Sequence, residues 1–226
     1  MLAKTIDHLA SILPFEKDYY PDTAPIRYVG HPLLDQIEKF KDNLEDEIKT
    51  VLFMPGSRKG EISKLMPIFH EVRNTLNVKA VIAIPEYFTQ VEVDTIYGDL
   101  SNFKVVYDSH KALYEADFAF ICSGTATLEA SLIGTPFILS YIAKSLDYFI
   151  ASKFVKIEYI GLSNIMFSKF QQREIHPEFI QEDVTTKNLL QAYSDYNKEN
   201  FLDDSKILRE YLRSGSSKNV AKIIES

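Results

Sequence analysis

The sequence has little of several features that define other protein classes. It contains one cysteine, Cys122, in 226 residues, so no internal disulfide can form and a reducing compartment is expected. No segment approaches the roughly 18 apolar residues that a membrane-spanning helix needs. The first eleven residues lack the basic start and apolar run of a secretory signal. We therefore expect a cytoplasmic protein and leave contact with a membrane surface open.

An excess of positive charge is also missing. The 25 Lys and Arg residues against 32 Asp and Glu residues give a net charge of −7. This balance disfavours nucleic acid as the main partner, because phosphate backbones select basic surfaces. A local cation such as Arg58 can still hold a phosphate group. The remaining composition, 46% hydrophobic and 25% charged, is typical of a globular domain.

Motifs of several well-known chemistries are absent. The five histidines show no His-x-x-x-His spacing, so we predict no zinc site. Neither Gly-x-x-x-x-Gly-Lys-Ser/Thr nor Gly-x-Gly-x-x-Gly occurs, which disfavours ATP hydrolysis and dinucleotide redox chemistry. No serine lies in Gly-x-Ser-x-Gly. Cys122 is interpreted as a small core residue rather than a nucleophile. We expect neither a metal nor a cofactor.

Strand-like and helix-like patterns alternate through the middle of the chain. Short apolar runs predict five strands, at residues 50–54, 79–84, 103–107, 117–121 and 136–141. Helices are predicted between them, at residues 61–76, 87–97, 110–116 and 125–133. Gly134 is expected to end the last helix in a left-handed conformation. The alternation predicts a parallel α/β sheet with helices on both faces, which binds ligands beyond the carboxyl ends of its strands.

The two ends of the chain depart from this alternation. Residues 1–10 look like the end of a helix, residues 13–30 read as an extended connector, and residues 187–225 are predicted as charged helices. A nucleotide-binding sheet ordinarily begins with its own strand. The opening therefore leads us to expect a truncated or split chain.

A Gly-Ser-Arg turn follows the first predicted strand. Gly56 lets the backbone turn and approach a ligand closely. Ser57 can cap the next helix, whose N-terminus attracts anions. Arg58 offers a bidentate fork for phosphate oxygens. With Glu61 three residues further on, the same pattern also fits a plain helix start with a solvated arginine.

A second turn of this kind follows the fourth predicted strand and consists of Ser123, Gly124, Thr125 and Ala126. Its hydroxyls and helix-terminal N–H groups can cradle a diphosphate. Glu129 lies one turn into the helix, where its carboxylate can accept hydrogen bonds from ribose hydroxyls. Helix capping alone also explains the pattern. Two such turns at strand ends of one sheet nevertheless indicate one shared crevice.

Two polar residues further along are candidate binding handles. Asn164 and Gln181 lie in otherwise apolar segments. Loop packing and helix capping account for them equally well in isolation.

Six short pieces occur in one order along the chain: Leu-Pro-Phe-Glu at 13–16 with Tyr-Tyr at 19–20, Tyr-Val-Gly-His-Pro-Leu at 28–33, Met-Pro-Gly-Ser-Arg at 54–58 with Glu61, Ser-Gly-Thr-Ala at 123–126 with Glu129, Gly-Leu-Ser-Asn at 161–164, and Pro-Glu at 177–178 with Gln181. Together they resemble the lipid-A-disaccharide synthase family. Each piece is weak alone, whereas the ordered set is specific and covers nearly the whole chain.

This resemblance implies a GT-B glycosyltransferase of two Rossmann-like domains. The family transfers 2,3-diacylglucosamine from UDP to 2,3-diacylglucosamine 1-phosphate with inversion, forms lipid A disaccharide 1-phosphate and releases UDP, without a metal. By resemblance, Arg58 and the second turn hold the diphosphate and Glu129 holds the ribose. Asn164 and Gln181 line the donor site. The predicted substrate-binding set is completed by Gly56, Ser57, Glu61, Gly124 and Ala126.

The chain departs from the family pattern in two respects. Ser163 stands where the family ordinarily has proline. The family's N-terminal domain, which brings the acceptor pocket and the general base, has no counterpart here, so the base is unassigned. We therefore divide the chain into the end of that missing domain with a connector (1–30), a UDP-sugar-binding domain (31–185) and C-terminal helices that pack back toward the missing half (186–226). That half or a second copy is left open as a partner.

The segment 146–156 is apolar and aromatic, with lysines at its borders. It fits a face that meets the membrane or acyl chains, on the inner side of the bacterial inner membrane. It fits a core helix with solvated lysines equally well.

Two other functions stay open. One is a different UDP-sugar enzyme of this fold, such as a UDP-N-acetylglucosamine epimerase or a peptidoglycan glycosyltransferase. The other is a non-catalytic UDP-sugar-binding fragment of a split or truncated synthase.

Overall fold

A computed structural model describes residues 6–143 and 158–225 of the chain. Two short strands near its start, β1 (Leu9–Ser11) and β2 (Ile26–Tyr28), pair in parallel. The predicted helix end at residues 1–10 is therefore wrong where the structure describes it. The few residues of this segment carry too little pattern to distinguish helix from strand. Pairing with β2, 17 residues further along the chain, makes the segment a strand.

The central sheet of the described residues has six parallel strands in the order β5-β4-β3-β6-β7-β8. These strands are β3 (Thr50–Met54), β4 (Lys79–Ala83), β5 (Lys104–Val106), β6 (Phe118–Cys122), β7 (Phe137–Tyr141) and β8 (Glu178–Ile180). The five predicted strands are confirmed to within two residues. The sequence did not predict β8, because three half-buried residues at a sheet edge show no apolar run.

Helices follow the strands and cover both faces of the sheet. They are α1 (Pro32–Gln36), α2 (Lys59–Thr75), α3 (Gln90–Tyr97), α4 (Ser109–Glu115), α5 (Thr125–Ile133), α6 (Leu162–Gln171), α7 (Thr186–Ser194), α8 (Phe201–Leu212) and α9 (Ser216–Ile224). Gly134 ends α5 in the left-handed conformation, as predicted. The α/β fold with a parallel sheet and helices around it is confirmed.

The core has two halves, one on each face of the sheet. Val51 and Phe53 of β3 pack against α2, where the rings of Phe53 and Phe69 lie 5.4 Å apart. Leu52 points to the opposite face and belongs to the same cluster as Leu128 of α5. The strands are thus buried on both faces, which is why they appear in the sequence as continuous apolar runs.

The C-terminal helices pack onto the beginning and the middle of the same chain. Helix α8 contacts α5, and Arg209 of α8 donates a hydrogen bond of 2.6 Å to the carbonyl of Leu132. The carboxylate of Asp35 accepts from the Gly215 amide at 2.6 Å. A Cβ at Gly30, whose φ is +97°, would lie 2.8 Å from the Arg213 carbonyl oxygen. The helices predicted at 187–225 are confirmed, and their packing toward a further domain stays a prediction.

Two other predictions are not tested by the fold. The apolar segment 146–156 lies outside the described residues, and the division of the chain at residues 30 and 185 stays a prediction. Within the described ranges, no helix is both long and apolar enough to pass through a bilayer.

Candidate functional site

The two predicted turns lie side by side because their strands are neighbours. Strands β3 and β6 pair in parallel with Met54 opposite Ile121, so both turns leave the sheet at the same carboxyl edge. They line one cavity of about 270 Å³. The structure therefore brings together the two turns that were expected to meet in one crevice.

Seven of the eleven predicted site residues line this cavity: Gly56, Ser57, Ser123, Gly124, Thr125, Ala126 and Glu129. Arg58 directly follows Ser57, and Glu61 is the third residue of α2. Asn164 and Gln181 are not among the lining residues. The binding role of the eleven residues stays a prediction.

Gly56 is the tightest point of the first turn. Its φ is +110°, a region that other residues adopt at a cost. A Cβ there would lie 2.8 Å from Glu61 Oε2 and 3.2 Å from Cys122 Sγ. The absence of a side chain is thus what allows the first turn to rest on the end of β6.

We expect Gly56→Ala to lower the free energy of unfolding by about 2–4 kcal/mol, since it adds backbone strain and a steric clash. Urea denaturation followed by circular dichroism measures the loss. Gly124→Ala is the matched control, because Gly124 also has a positive φ, of 142°, but a Cβ there meets no heavy atom within 4 Å. Equal losses in the two variants would contradict the role assigned to the clash.

The first turn is built differently from the prediction in one respect. Helix α2 begins at Lys59 with Arg58 as the N-cap residue, and no side chain accepts a capping hydrogen bond. The predicted cap by Ser57 is therefore wrong, because Ser57 lies one residue too early. Its backbone carbonyl accepts a hydrogen bond from the Tyr87 hydroxyl instead.

Arg58 directly follows the cavity-lining Ser57, and its guanidinium is paired with Glu61. Its Nη1 donates to Glu61 Oε1 at 2.9 Å; the arginine side chain is 80% exposed, whereas the glutamate side chain is 11% exposed. The hydrogen bond to Glu61 raises the pKa of Arg58 above its ordinary value. The exposed guanidinium retains further N–H donors, which suit an anion at the cavity mouth.

The second turn presents the N-terminus of α5 to the cavity. Gly124 is the N-cap residue, and no side chain caps the helix. The Thr127 hydroxyl donates to the Gly124 carbonyl at 2.8 Å, and the Ser123 hydroxyl donates to the Ile160 carbonyl at 3.3 Å. Because α5 is embedded in the core, its amide groups and dipole have a fixed direction, as an anion site requires.

Glu129 lines the cavity from one turn inside α5. Its side chain is 15% exposed and its Oε2 lies 3.6 Å from His110 Nε2. Burial raises the pKa of the Glu129 carboxyl, and His110 opposes that shift. A carboxylate in this position can accept hydrogen bonds from a polar ligand inside the cavity.

Sequence analysis missed part of the cavity wall. Tyr107, directly after β5, and Ser109, the first residue of α4, line it together with Ile84 and Pro85 from the end of β4. Tyr107 is 57% exposed, so part of its ring is open to solvent. These residues lie at or just after the carboxyl ends of two predicted strands. That position is the feature of the sequence that could have identified them.

Cys122 lies beneath both turns and is buried, so its interpretation as a core residue is confirmed. Burial raises the pKa of its thiol to about 12. The thiol is therefore protonated near neutral pH and is a poor nucleophile.

Asn164 is fully buried, and protein groups use its whole amide. Its Nδ2 donates to the His176 carbonyl and to Glu178 Oε1, both at 2.8 Å. Its Oδ1 accepts from the amides of Ile175 at 2.8 Å and His176 at 3.3 Å. Ser163, the residue in the place of the family proline, shares a hydrogen bond of 2.8 Å with the ring of His176. Direct contact between Asn164 and a donor stays a prediction.

Glu178 connects this network to the second turn. Its carboxylate accepts from the amides of Ile160 at 2.8 Å and Gly161 at 3.1 Å. The Ile160 carbonyl in turn accepts from Ser123. Asn164 thus supports the cavity through Glu178 and residue 160. Gln181, with a φ of +56°, begins the short helix after β8 and stays a predicted donor contact.

Comparison with known sequences identifies relatives over nearly the whole chain. A sequence model of the family described as lipid-A-disaccharide synthetase matches residues 1–223. The lipid-A-disaccharide synthase of Helicobacter pylori (strain Shi470) is 46% identical over an alignment 233 residues long. This alignment covers 97% of this chain and 64% of that relative. The synthase of Campylobacter jejuni is 46% identical, and the alignment covers 96% of this chain and 61% of that relative. The chain spans less than two thirds of the length of both.

Solved structures share the fold at low sequence identity. Acinetobacter baumannii MurG aligns with a TM-score of 0.59 and 15% identity, over 99% of this chain and 62% of that one. The co-structure of Staphylococcus aureus MnaA with UDP aligns with a TM-score of 0.56 and 14% identity, over 99% of this chain and 61% of that one. These likenesses show a shared Rossmann-like α/β fold. The sequence relationship goes further: this chain belongs to the lipid-A-disaccharide synthase family.

Proposed function

We propose that the chain binds the UDP-sugar donor of a lipid A glycosyltransferase. The transferred group is 2,3-diacylglucosamine, the acceptor is 2,3-diacylglucosamine 1-phosphate, and the products are lipid A disaccharide 1-phosphate and UDP. The observation that carries this proposal is the meeting of two strand-to-helix turns in one cavity, in a chain 46% identical to a lipid-A-disaccharide synthase.

The diphosphate of the donor lies between the N-terminus of α5 and Arg58. Cleavage of the bond between sugar and phosphate builds negative charge on the departing UDP. The oriented amides of α5, its dipole and the guanidinium stabilise that charge. Because Glu61 and the core hold these groups in place before the reaction, little reorganisation is needed when the charge develops.

The ribose lies against Glu129. The carboxylate accepts hydrogen bonds from the two ribose hydroxyls, and such bonds to an ionised acceptor are stronger than neutral ones. This places the nucleoside toward the wall formed by Ile84, Pro85 and Tyr107 and leaves the sugar at the side of Arg58.

Activation of the acceptor hydroxyl needs a general base within hydrogen-bond reach. The cavity-lining residues include one carboxylate, Glu129, which this proposal assigns to the ribose. We therefore assign the base and the acceptor pocket to a part of the synthase beyond this chain, as the family resemblance implies. Because both substrates carry acyl chains, we place the reaction at the inner face of the bacterial inner membrane.

A second function is a non-catalytic UDP-sugar-binding module, which the coverage of 64% of the Helicobacter pylori relative favours. The two functions differ in what the chain does alone. Calorimetry with UDP tests donor binding, and mass spectrometry of the lipid products tests transfer. Both are done with the chain alone and with the N-terminal part of the Helicobacter pylori relative added.

We expect the chain alone to bind UDP and the mixture to form the disaccharide. UDP binding without disaccharide in either sample supports the binding module. Absence of UDP binding in both samples contradicts both functions.

A further inference from the structure

The side chain of His110 lies close to the carboxylate of Glu129, which lines the cavity. His110 is the second residue of α4, and α4 packs against α5. The start of α4 is fixed by Asp108, whose Oδ1 accepts from the Lys111 amide at 2.9 Å. His110 Nε2 therefore has a defined position, 3.6 Å from Glu129 Oε2.

The two residues differ in their access to solvent. The His110 side chain is 33% exposed, whereas that of Glu129 is 15% exposed. His110 also lines a neighbouring depression of about 410 Å³ between α4 and residues 36–39. The charged side chains that line this depression with it are Glu38, Lys39, Asp108, Lys111 and Glu115. These side chains carry charges of both signs. The depression therefore does not supply a positive charge that could take the place of His110 beside Glu129.

A largely buried carboxylate is costly to ionise unless a donor or a positive charge compensates it. His110 is the charged or polar partner that the described structure places against Glu129. At 3.6 Å the separation of Nε2 and Oε2 is slightly longer than a hydrogen bond, so the ring N–H acts on the carboxylate as a nearby dipole and, when the ring is protonated, as a positive charge. Both favour the ionised carboxylate, the form that accepts from two hydroxyls.

We propose that His110 is a positioning residue for the ribose site, which keeps Glu129 ionised and turned into the cavity near neutral pH. The proposal rests on the assignment of Glu129 to the ribose of UDP. Sequence analysis found no role for His110, because its partner lies 19 positions away and on another helix.

The direction of the pH effect follows from the Glu129 carboxylate. Burial raises the pKa of Glu129, and His110 lowers it. UDP binding is therefore strong above the pKa of Glu129 and is lost as the pH falls through it. Removal of His110 takes away the group that lowers this pKa, so the pKa of Glu129 rises further. The loss of affinity then begins at a higher pH.

The experiment measures UDP affinity by calorimetry from pH 5 to pH 9. His110→Phe removes the donor and the charge, His110→Gln retains a donor alone, and His110→Arg supplies a permanent positive charge. Lys111→Met is the matched control: it removes a cation from the next position of α4, where Lys111 is 69% exposed and 3.9 Å from Glu115. The titration of UDP itself affects all variants equally. It therefore cancels when the UDP affinity of each variant is divided by that of the unmodified chain.

We expect His110→Phe to bind UDP about tenfold more weakly at pH 6 and within about twofold of the unmodified chain at pH 8.5. His110→Arg restores the original profile, His110→Gln lies between, and Lys111→Met changes nothing. A loss in His110→Phe that is equal at all pH values indicates a purely structural role or direct contact, and it overturns the proposal. So does an unchanged profile.

A second measurement does not depend on UDP. The ¹³C resonance of the Glu129 carboxyl, assigned by its loss in Glu129→Gln, is titrated in the ligand-free chain. A midpoint that rises in His110→Phe supports the pairing. If this midpoint rises while the unmodified chain binds no UDP, the proposed function fails and the pairing stands. An unshifted midpoint overturns the inference while UDP binding stands.

Discussion

Arg58→Ala is expected to weaken UDP binding by roughly 10- to 100-fold, the range for loss of hydrogen bonds to a charged group. Arg58 is the cation of the first turn, and its guanidinium donates a hydrogen bond of 2.9 Å to Glu61. The alanine variant retains the helix N-terminus of the second turn, so binding is weakened rather than abolished. Calorimetry at pH 7.5 and constant ionic strength measures the change.

Two further variants define the contribution of the guanidinium. Arg58→Lys keeps the charge but loses the bidentate fork, so we expect an intermediate affinity. Arg73→Ala removes an arginine from the other end of α2, roughly 20 Å away at the rise of an α-helix, and serves as the control. Unchanged affinity in Arg58→Ala, or an equal loss in Arg73→Ala, would contradict the assignment of Arg58 to the diphosphate.

Asn164→Ala is expected to lower the free energy of unfolding by about 3–4 kcal/mol, because it leaves several buried polar groups without partners. The amides of Ile175 and His176 lose their acceptor, and Glu178 loses one of its three donors. Urea denaturation followed by circular dichroism measures the loss. Asn188→Ala, which removes a single exposed hydrogen bond to the Asp183 carbonyl, is the control and costs about 1 kcal/mol or less.

Asn164→Asp makes the test sharper, because it preserves the shape of the side chain. It replaces the Nδ2 donor by an oxygen that faces Glu178 Oε1 at about the original 2.8 Å. We expect a loss of stability at least as large as in the alanine variant when both carboxyls are ionised. Because Glu178 holds residue 160 against Ser123, UDP affinity should also fall in both variants. A stability within about 1 kcal/mol of the unmodified chain would contradict the role of the network.

The local sequence was sufficient for the central strands and their helices. Residues 50–54 and 118–122 are continuous apolar runs because both faces of these strands are covered. Gly134 predicted the end of α5 because it adopts the left-handed conformation without strain. The short strands β1 and β8 were missed, since three residues carry too little pattern and their pairing comes from distant segments.

In the cavity, too, the sequence predicted some features and missed others. Gly56 and the turn at 123–126 were predicted because each follows an apolar run and begins a helix. The sequence could not place Asn164, whose amide is enclosed by residues 175–178 rather than open to the cavity. It also gave no sign that His110 faces Glu129, since that contact depends on how α4 packs against α5.

The Gly-Ser-Arg and Ser-Gly-Thr turns, the parallel α/β order and the family relationship were determined by the sequence alone. These depend on backbone freedom, apolar period and motif order, which are local properties. The tertiary structure decided which side chains share the cavity and which serve as supports. Strand order and helix packing bring together residues from the ends of β3, β4, β5 and β6, and no local pattern encodes those distances.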